Sequence, residues 1–293
     1  MTPAAPRITI VTPSLNQGAF LDAALRSVGD QDYPDLEHIV IDGGSTDGSV
    51  EIIGAHADHL AWSVSEPDGG QYHALNKGFA RATGEVMGWL NADDAHLPWT
   101  LALVGEIFRQ LPEVEWLTTL APLICNEDGL PIRCRRRAPF SRRAFLAGDN
   151  LPGQGWHAQG WIQQEATFWR RSLWERVGGR LDESLSLAGD FDLWARFFAE
   201  AEPHATEVPL ARFRRHAGQR TAAGASEYHA EALAALARHG GRHPSRPAAA
   251  MRLALRRTLP TRLKPLAFRF GLVAPGKVCV FDLDRGLWGV SEE

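Results

Sequence analysis

Glu85-Val86-Met87-Gly88-Trp89-Leu90-Asn91-Ala92-Asp93-Asp94 is a short apolar run that ends in two adjacent carboxylates. A run of that length reads as a buried strand. Neighbouring acids repel each other and each carries a desolvation cost, which a cation held in front of them relieves. Hard divalent ions take oxygen ligands, and Mg2+ is commonly held by one or two carboxylates together with substrate phosphates. The other reading of the same residues is a turn acid beside a helix N-cap, with Asp94 preceding a helix near Pro98.

Working outward, strand and helix alternate. Ile8-Thr9-Ile10-Val11-Thr12 is a β-branched run, and Phe20, Leu21, Ala24, Leu25 and Val28 recur at helical spacing. His38-Ile39-Val40-Ile41 reads as a second strand ending at Asp42. Gly43-Gly44 then breaks the chain ahead of a helix around 50–57. A third strand fits 61–65, a turn Pro67-Asp68-Gly69-Gly70, and a helix 72–82. Strands separated by single helices imply right-handed crossovers and a mainly parallel sheet. In such sheets ligands bind beyond the carboxyl ends of the strands. Ser14 and Asn16, Asp42, Asp68, and the Asp93-Asp94 pair follow four consecutive strands, so one edge receives all of them. Turn chemistry accounts for any one of these residues and less well for all four.

The 293 residues, 44% hydrophobic and 23% charged, suit one large soluble domain or two small ones and exclude a disordered chain. The net charge of -4 gives no support for nucleic-acid binding. Cys125, Cys134 and Cys279 lack CxxC spacing, so neither a zinc site nor a disulfide framework is expected. No signal-peptide pattern and no span-length apolar run is present, and a cytoplasmic location is expected.

Beyond Trp116 the pattern changes to an Arg-rich connection (125–143), a tryptophan-bearing stretch, and an amphipathic helix opening at Leu187-Ala188-Gly189-Asp190-Phe191-Asp192. Trp169, Trp174 and Trp194 are expected in the core. Val208 to Phe213 reads as a strand, with His216 just past it. From 226 the chain reads as a basic helical extension, with no acid between Glu231 and Asp282. Cys279-Val280-Phe281 reads as a late strand. Arg252, Arg256 and Arg257 beside Leu253 and Leu255, with Phe268 and Phe270 further on, suit an anionic membrane surface, a solvated helix or a dimer contact.

These segments resemble family 2 glycosyltransferases of the GT-A fold, in their bacterial polysaccharide branch. Ile10-Val11-Thr12-Pro13-Ser14-Leu15-Asn16 is similar to the opening strand. Ile41-Asp42-Gly43-Gly44-Ser45-Thr46-Asp47-Gly48-Ser49 is similar to the second motif, and Ser65-Glu66-Pro67-Asp68-Gly69-Gly70 with Asn76-Lys77-Gly78 to the third. Asn91-Ala92-Asp93-Asp94 matches the metal-binding acid motif. Gln164-Glu165-Ala166-Thr167 and Gly189-Asp190-Phe191-Asp192-Leu193-Trp194 resemble the acceptor-side motifs. The ordered set runs from about 7 to 220 and is far more specific than any one motif.

The resemblance implies a mixed, mainly parallel α/β sheet flanked by helices, with a transferase domain over 1–225 (donor half 1–120, acceptor half 121–225) and the helical extension over 226–293. It implies an inverting transfer from a UDP- or GDP-sugar to a glycan or lipid-linked acceptor, assisted by Mn2+ or Mg2+. Asp94 and His216 are the implied metal ligands. Pro13, Ser14, Asn16, Asp42, Asp68, Lys77 and Asp93 are the implied nucleotide-sugar contacts. The wider family usually has a second acid after Asp42; this chain has Gly43, which leaves the identity of the base open. Asp190 is the implied general base, with a helix start favouring its ionised form; a plain helix cap is the alternative. Trp156 and Trp161 suit either an acceptor platform or a packed loop, and Glu165 suits a contact to the transferred sugar. A sugar nucleotidyltransferase would carry a Gly-rich, basic loop after the first strand, which Pro13-Ser14-Leu15-Asn16-Gln17-Gly18 lacks. An inactive glycan-binding relative would not need Asp93, Asp94 and Asp190, and a dehydrogenase would need GxGxxG there.

Overall fold

The computed structural model describes residues 4–152, 160–242 and 275–293, with single positions between 243 and 274. β-Branched residues crowd a helix and fit a pleated sheet, and the run from Ile8 forms β1 (Ile8–Ser14), buried along its whole length. α1 (Gly18–Gly29) buries the apolar stripe Leu21, Ala24, Leu25 and Val28. β2 (Leu36–Asp42) lies parallel to β1. After α2 (Ser49–Ala55), β3 (Trp62–Ser65) lies parallel to β2. The register places Ser14 opposite Asp42 and Asp42 opposite Ser65, so three strand ends stand abreast. α3 (Gln71–Phe79) crosses back to β4 (Val86–Trp89), which pairs parallel with the other side of β1.

The chain continues through β5 (Ala95–His96), α4 (Thr100–Gln110), β6 (Trp116–Thr119), β7 (Leu123–Cys125), β8 (Pro131–Cys134) and α5 (Arg142–Leu146). Then come β9 (Phe168–Arg170), α6 (Arg171–Arg176), α7 (Gly189–Glu200), β10 (His204–Thr206) and β11 (Ala211–Arg214). The last elements are α8 (Arg220–Ala223), α9 (Ala225–Arg238), β12 (Lys277–Asp282) and β13 (Leu287–Glu292). Among the described residues, nine strands form one sheet in the order β13-β12-β10-β6-β9-β4-β1-β2-β3. Pairing is parallel except where β9 enters between β4 and β6 and where β12 turns back into β13. This is the mixed, mainly parallel α/β sheet expected. β5, β11, β7 and β8 form a small second sheet.

Past residue 226 the structure differs from a purely helical extension. α9 buries Ala232, Ala235 and Leu236 in the main core, and β12 and β13 extend the same sheet. Val278, Val280 and Phe281 supply the strand propensity. Arg252, Leu253, Arg256, Arg257 and Phe270 of the proposed membrane-facing stretch lie outside the described residues.

Tryptophan fills the centre. Trp89, Trp116, Trp169, Trp174 and Trp194 are all buried, with Trp194 stacked between Trp89 and Trp116 at centroid distances of 6.2 and 5.6 Å. The stack joins β4 and β6 to α7, and so joins the strand before the acid pair to the helix that carries Asp190. α3 meets β1 at Gly78, where an added Cβ would come within 2.4 Å of Val11 Cγ1. Alanine normally favours a helix interior over glycine by about 1 kcal/mol, but here overpacking decides the sign. Gly78→Ala is expected to lose about 1–3 kcal/mol in urea unfolding; an unchanged midpoint would show that α3 can step away from the sheet.

Candidate active site

β4 ends at Trp89, and the chain turns so that the Asp94 amide donates to the Asn91 carbonyl at 3.1 Å. β11 of the small sheet passes beside this turn. The Arg214 amide donates to Asp94 Oδ1 (2.9 Å), and its Nε donates to the Asp93 carbonyl (2.8 Å). Two residues on, His216 Nε2 lies 3.1 Å from Asp93 Oδ2, with its ring against Phe20. Asp93 and His216 therefore meet at the edge of the sheet, although 123 residues separate them.

The two acids differ in what they face. Asp94 is 1% exposed, and its Oδ2 is buried without a hydrogen-bond partner. Burial, and then the nearby Glu165 and Asp93 carboxylates, push the Asp94 carboxyl well above the usual carboxylate range. Asp93 keeps 21% of its side chain exposed beside His216. Asp94, the expected direct metal ligand, thus has one oxygen taken by the Arg214 amide and the other buried and unpartnered. Asp94 is turned inward to anchor β11, and Asp93 presents its carboxylate with His216.

At the end of β2, Asp42 is fully buried. Its oxygens accept from Gly44 N (3.1 Å), Ser45 N (2.8 Å), Ser45 Oγ (2.5 Å) and Ser65 Oγ (2.6 Å). Burial alone would raise its pKa, but these donors outweigh it and hold the carboxyl below its ordinary value. Asp42, expected to meet the nucleotide, has its oxygens taken up here by the loop after β2 and by Ser65. It shapes the loop after β2. Asn16, at φ 52°, does the same from β1: its Oδ1 accepts from Thr46 N (2.9 Å), and its amide donates to Ser45 Oγ (2.7 Å). Pro13 is buried opposite Ile41, and Ser14 Oγ is buried without a partner.

Asp68 is partly exposed; its Oδ1 accepts from Gly70 N at 2.7 Å. Its Oδ2 occupies the space above Gly43, 3.0 Å from where a Cβ would be. A larger residue at 43 would therefore crowd this carboxylate, so the departure at Gly43 and the position of Asp68 go together. Lys77 forms an ion pair with the exposed Glu66 on the same rim.

Asp190 lies in the first turn of α7. Its Oδ1 accepts from Phe191 N (2.7 Å) and from Tyr228 Oη of α9 (2.8 Å). Burial pushes its pKa up to about 6, against the lowering effect of those bonds. Asp192 points the other way and is bonded to Arg196 and Arg238 at 3.0 Å each, which makes it a structural acid. Glu165 is buried, its Oε1 unpartnered, and burial followed by the charges of Asp190 and Asp93 raises its pKa. One carboxyl group thus lies within electrostatic reach of both the acid pair and Asp190. Trp161 is 38% exposed with Arg137 over its ring at 5.7 Å. Trp156 lies outside the described residues.

Three contributors escaped the sequence. Arg214 falls between the expected strand and His216 but carried no signal that its amide would hold an acid. Tyr228 and Glu231 sit on a helix read as an appendage, and no local pattern ties them to residues 186–190.

A sequence profile described as Glycosyl transferase family 2 matches residues 9–159, just over half of the chain. An uncharacterised glycosyltransferase of Mycobacterium tuberculosis is 32% identical over 213 residues, covering 71% of this chain and 75% of that protein. Among solved structures, Staphylococcus aureus TarS 1-349 in complex with UDP-GlcNAc superposes with a TM-score of 0.61 at 14% identity, covering 90% of this chain and 79% of that one. The mannosyltransferase PcManGT of Pyrobaculum calidifontis, in complex with GDP-Man and Mn2+, gives 0.56 at 20% identity, covering 92% and 80%. At those identities the two structures speak for the fold, and the profile and the mycobacterial relative speak for the family. The protein is a glycosyltransferase, a member of glycosyl transferase family 2.

Proposed function

We propose that this transferase moves a sugar, with inversion, from a nucleoside-diphosphate sugar to a glycan or lipid-linked acceptor in the assembly of a surface polysaccharide, using Mn2+ or Mg2+. The observation that carries the reading is the convergence of Asp93 and His216, 3.1 Å apart, on the same rim as a carboxylate suited to take a proton. Among the described residues no cluster of three or more His, Cys, Asp or Glu side chains surrounds that pair. Two protein donors with the remaining positions left to diphosphate oxygens and water is a common arrangement for such ions. One oxygen and one imidazole nitrogen favour Mn2+ over Mg2+. When bound there, the ion supplies positive charge against the departing diphosphate.

The chain's own groups account for the rest. Asp68 and the Ser14 hydroxyl line the nucleoside side, and Lys77 can leave Glu66 for a phosphate. Asp190 accepts the acceptor hydroxyl proton as that oxygen attacks the anomeric carbon, and a single base without a second nucleophile gives inversion. The acceptor class rests on the resemblance of the 164–194 motifs to the polysaccharide branch. Among the described residues no helix is long and apolar enough to cross a membrane, so a lipid-linked acceptor would be met at a membrane surface, on the cytoplasmic face where nucleotide sugars are made.

The test is a thermal-shift screen of UDP- and GDP-sugars with and without Mn2+. A ligand present at about 100 times its Kd stabilises the folded state by about 2.7 kcal/mol. One nucleotide should raise the melting temperature by several degrees only when Mn2+ is present. No shift with any nucleotide sugar, together with no sugar transfer, would remove the proposal.

A further inference from the structure

We infer that Tyr228 is a positioning residue for Asp190, and that α9 is thereby part of the acceptor-activating apparatus. The inference rests on the assignment of Asp190 as general base. Its structural basis is a set of bonds that leaves none of the amides leading into α7 to chance. Glu231 accepts from Ser186 N (2.7 Å), Leu187 N (2.9 Å) and Ala188 N (2.8 Å), and Tyr72 Oη accepts from Gly189 N (2.8 Å). Tyr228 then donates to Asp190 Oδ1, the oxygen that also takes the Phe191 amide. Tyr228 and Glu231 are three residues apart on one face of α9, and Ala232, Ala235 and Leu236 anchor that helix in the core.

A phenol has one proton to donate, and giving it to Oδ1 fixes the plane of the carboxylate and leaves Oδ2 for the acceptor hydroxyl. Burial, followed by the charge of Asp190, pushes the Tyr228 phenol well above its ordinary value, so it stays a donor throughout the working range. The groups facing Asp190 are Tyr228 and Glu231 from α9, Tyr72 from α3 and Glu165 from the turn before β9. Arg220 of α8 acts on Tyr72. Of these, Tyr228 lowers the Asp190 pKa by its hydrogen bond and Glu231 raises it by its charge.

The experiment compares kcat against pH for wild type and Tyr228→Phe, with donor KM and melting temperature measured alongside. The ring and its packing remain, and only the hydrogen bond is lost. The acid limb of the profile should move up by about one pH unit, so that kcat near pH 6 falls up to about tenfold and recovers toward wild type near pH 8.5. Donor KM should stay within about twofold, since Tyr228 is not among the residues proposed to hold the donor. Glu231→Gln should move the limb the opposite way and lower the plateau, because three amides lose a charged acceptor. A Tyr228→Phe profile superimposable on wild type, or a loss uniform in pH with a lowered melting temperature, would overturn the inference. If wild type itself transfers no sugar, the proposed function fails instead, and the two failures are distinguishable.

Discussion

Asp190→Asn is expected to cut sugar transfer about 10²–10⁴-fold while leaving nucleotide-sugar affinity unchanged, since that is the usual contribution of a positioned general base. Asparagine is nearly isosteric, and its carbonyl oxygen can still accept from Phe191 N and Tyr228 Oη. What it cannot do is take a proton. In the wild type, burial lifts the Asp190 pKa to about 6, so the base is ionised above that pH and turnover should fall as pH drops through it.

Stability should move the other way. The folded pKa of Asp190 lies above its unfolded value of 3.8, so holding this carboxylate in the fold carries a cost. That cost is absent below about pH 4, grows as pH rises, and is complete above about pH 6. At pH 7.5 the Asn variant should therefore melt no lower than wild type and up to a few degrees higher, the trade between activity and stability common at active sites. Wild-type turnover in Asp190→Asn would remove this residue from the mechanism.

The second large effect separates the two adjacent acids. Asp93→Ala is expected to abolish the Mn2+-dependent thermal shift and to lower turnover about 10³-fold, the equivalent of roughly 4 kcal/mol of charge stabilisation. Asp94→Asn should keep the shift and most of the activity. The Asp94 carboxyl is pushed toward its neutral form by burial and by Glu165, and asparagine can still accept from the Arg214 amide. Calorimetry of Mn2+ binding with UDP or GDP present reads the difference directly. If Asp94→Asn lost metal binding while Asp93→Ala kept it, the inward-facing assignment of Asp94 would be wrong.

The alternation of strands and helices was legible because each element obeys one strong local rule. β-Branched residues dominate β1, the apolar stripe of α1 recurs at helical spacing, and glycine pairs mark the breaks. The edge that would bear polar groups was legible for the same reason: strand order and crossover hand leave little choice. The roles of individual side chains at that edge were not. Asp42 sits in the expected place, but Ser65, Ser45 and two amides saturate it, and those partners come from another strand and a loop whose path no periodicity reports. Asp93 and Asp94 are indistinguishable as neighbours in sequence; the passage of β11, some 120 residues later, decides which of them turns inward. The late strand expected at 279–281 lies within β12, but its docking with β13 onto the main sheet depends on pairing with β10, which no local pattern after 226 reports.

The indole stack bears on how such a protein can diversify. Trp89 lies four residues before Asp93, and Trp194 lies four after Asp190; the two rings are stacked and nearly parallel, their planes 8° apart. A rigid bar thus sets the spacing between Asp93 and Asp190, which in the proposed mechanism are the places where the leaving group departs and the incoming oxygen is deprotonated. New acceptors can be accommodated by redrawing peripheral loops while that spacing stays the same, whereas replacing one of these rings with a small side chain would loosen the alignment of both reacting partners together.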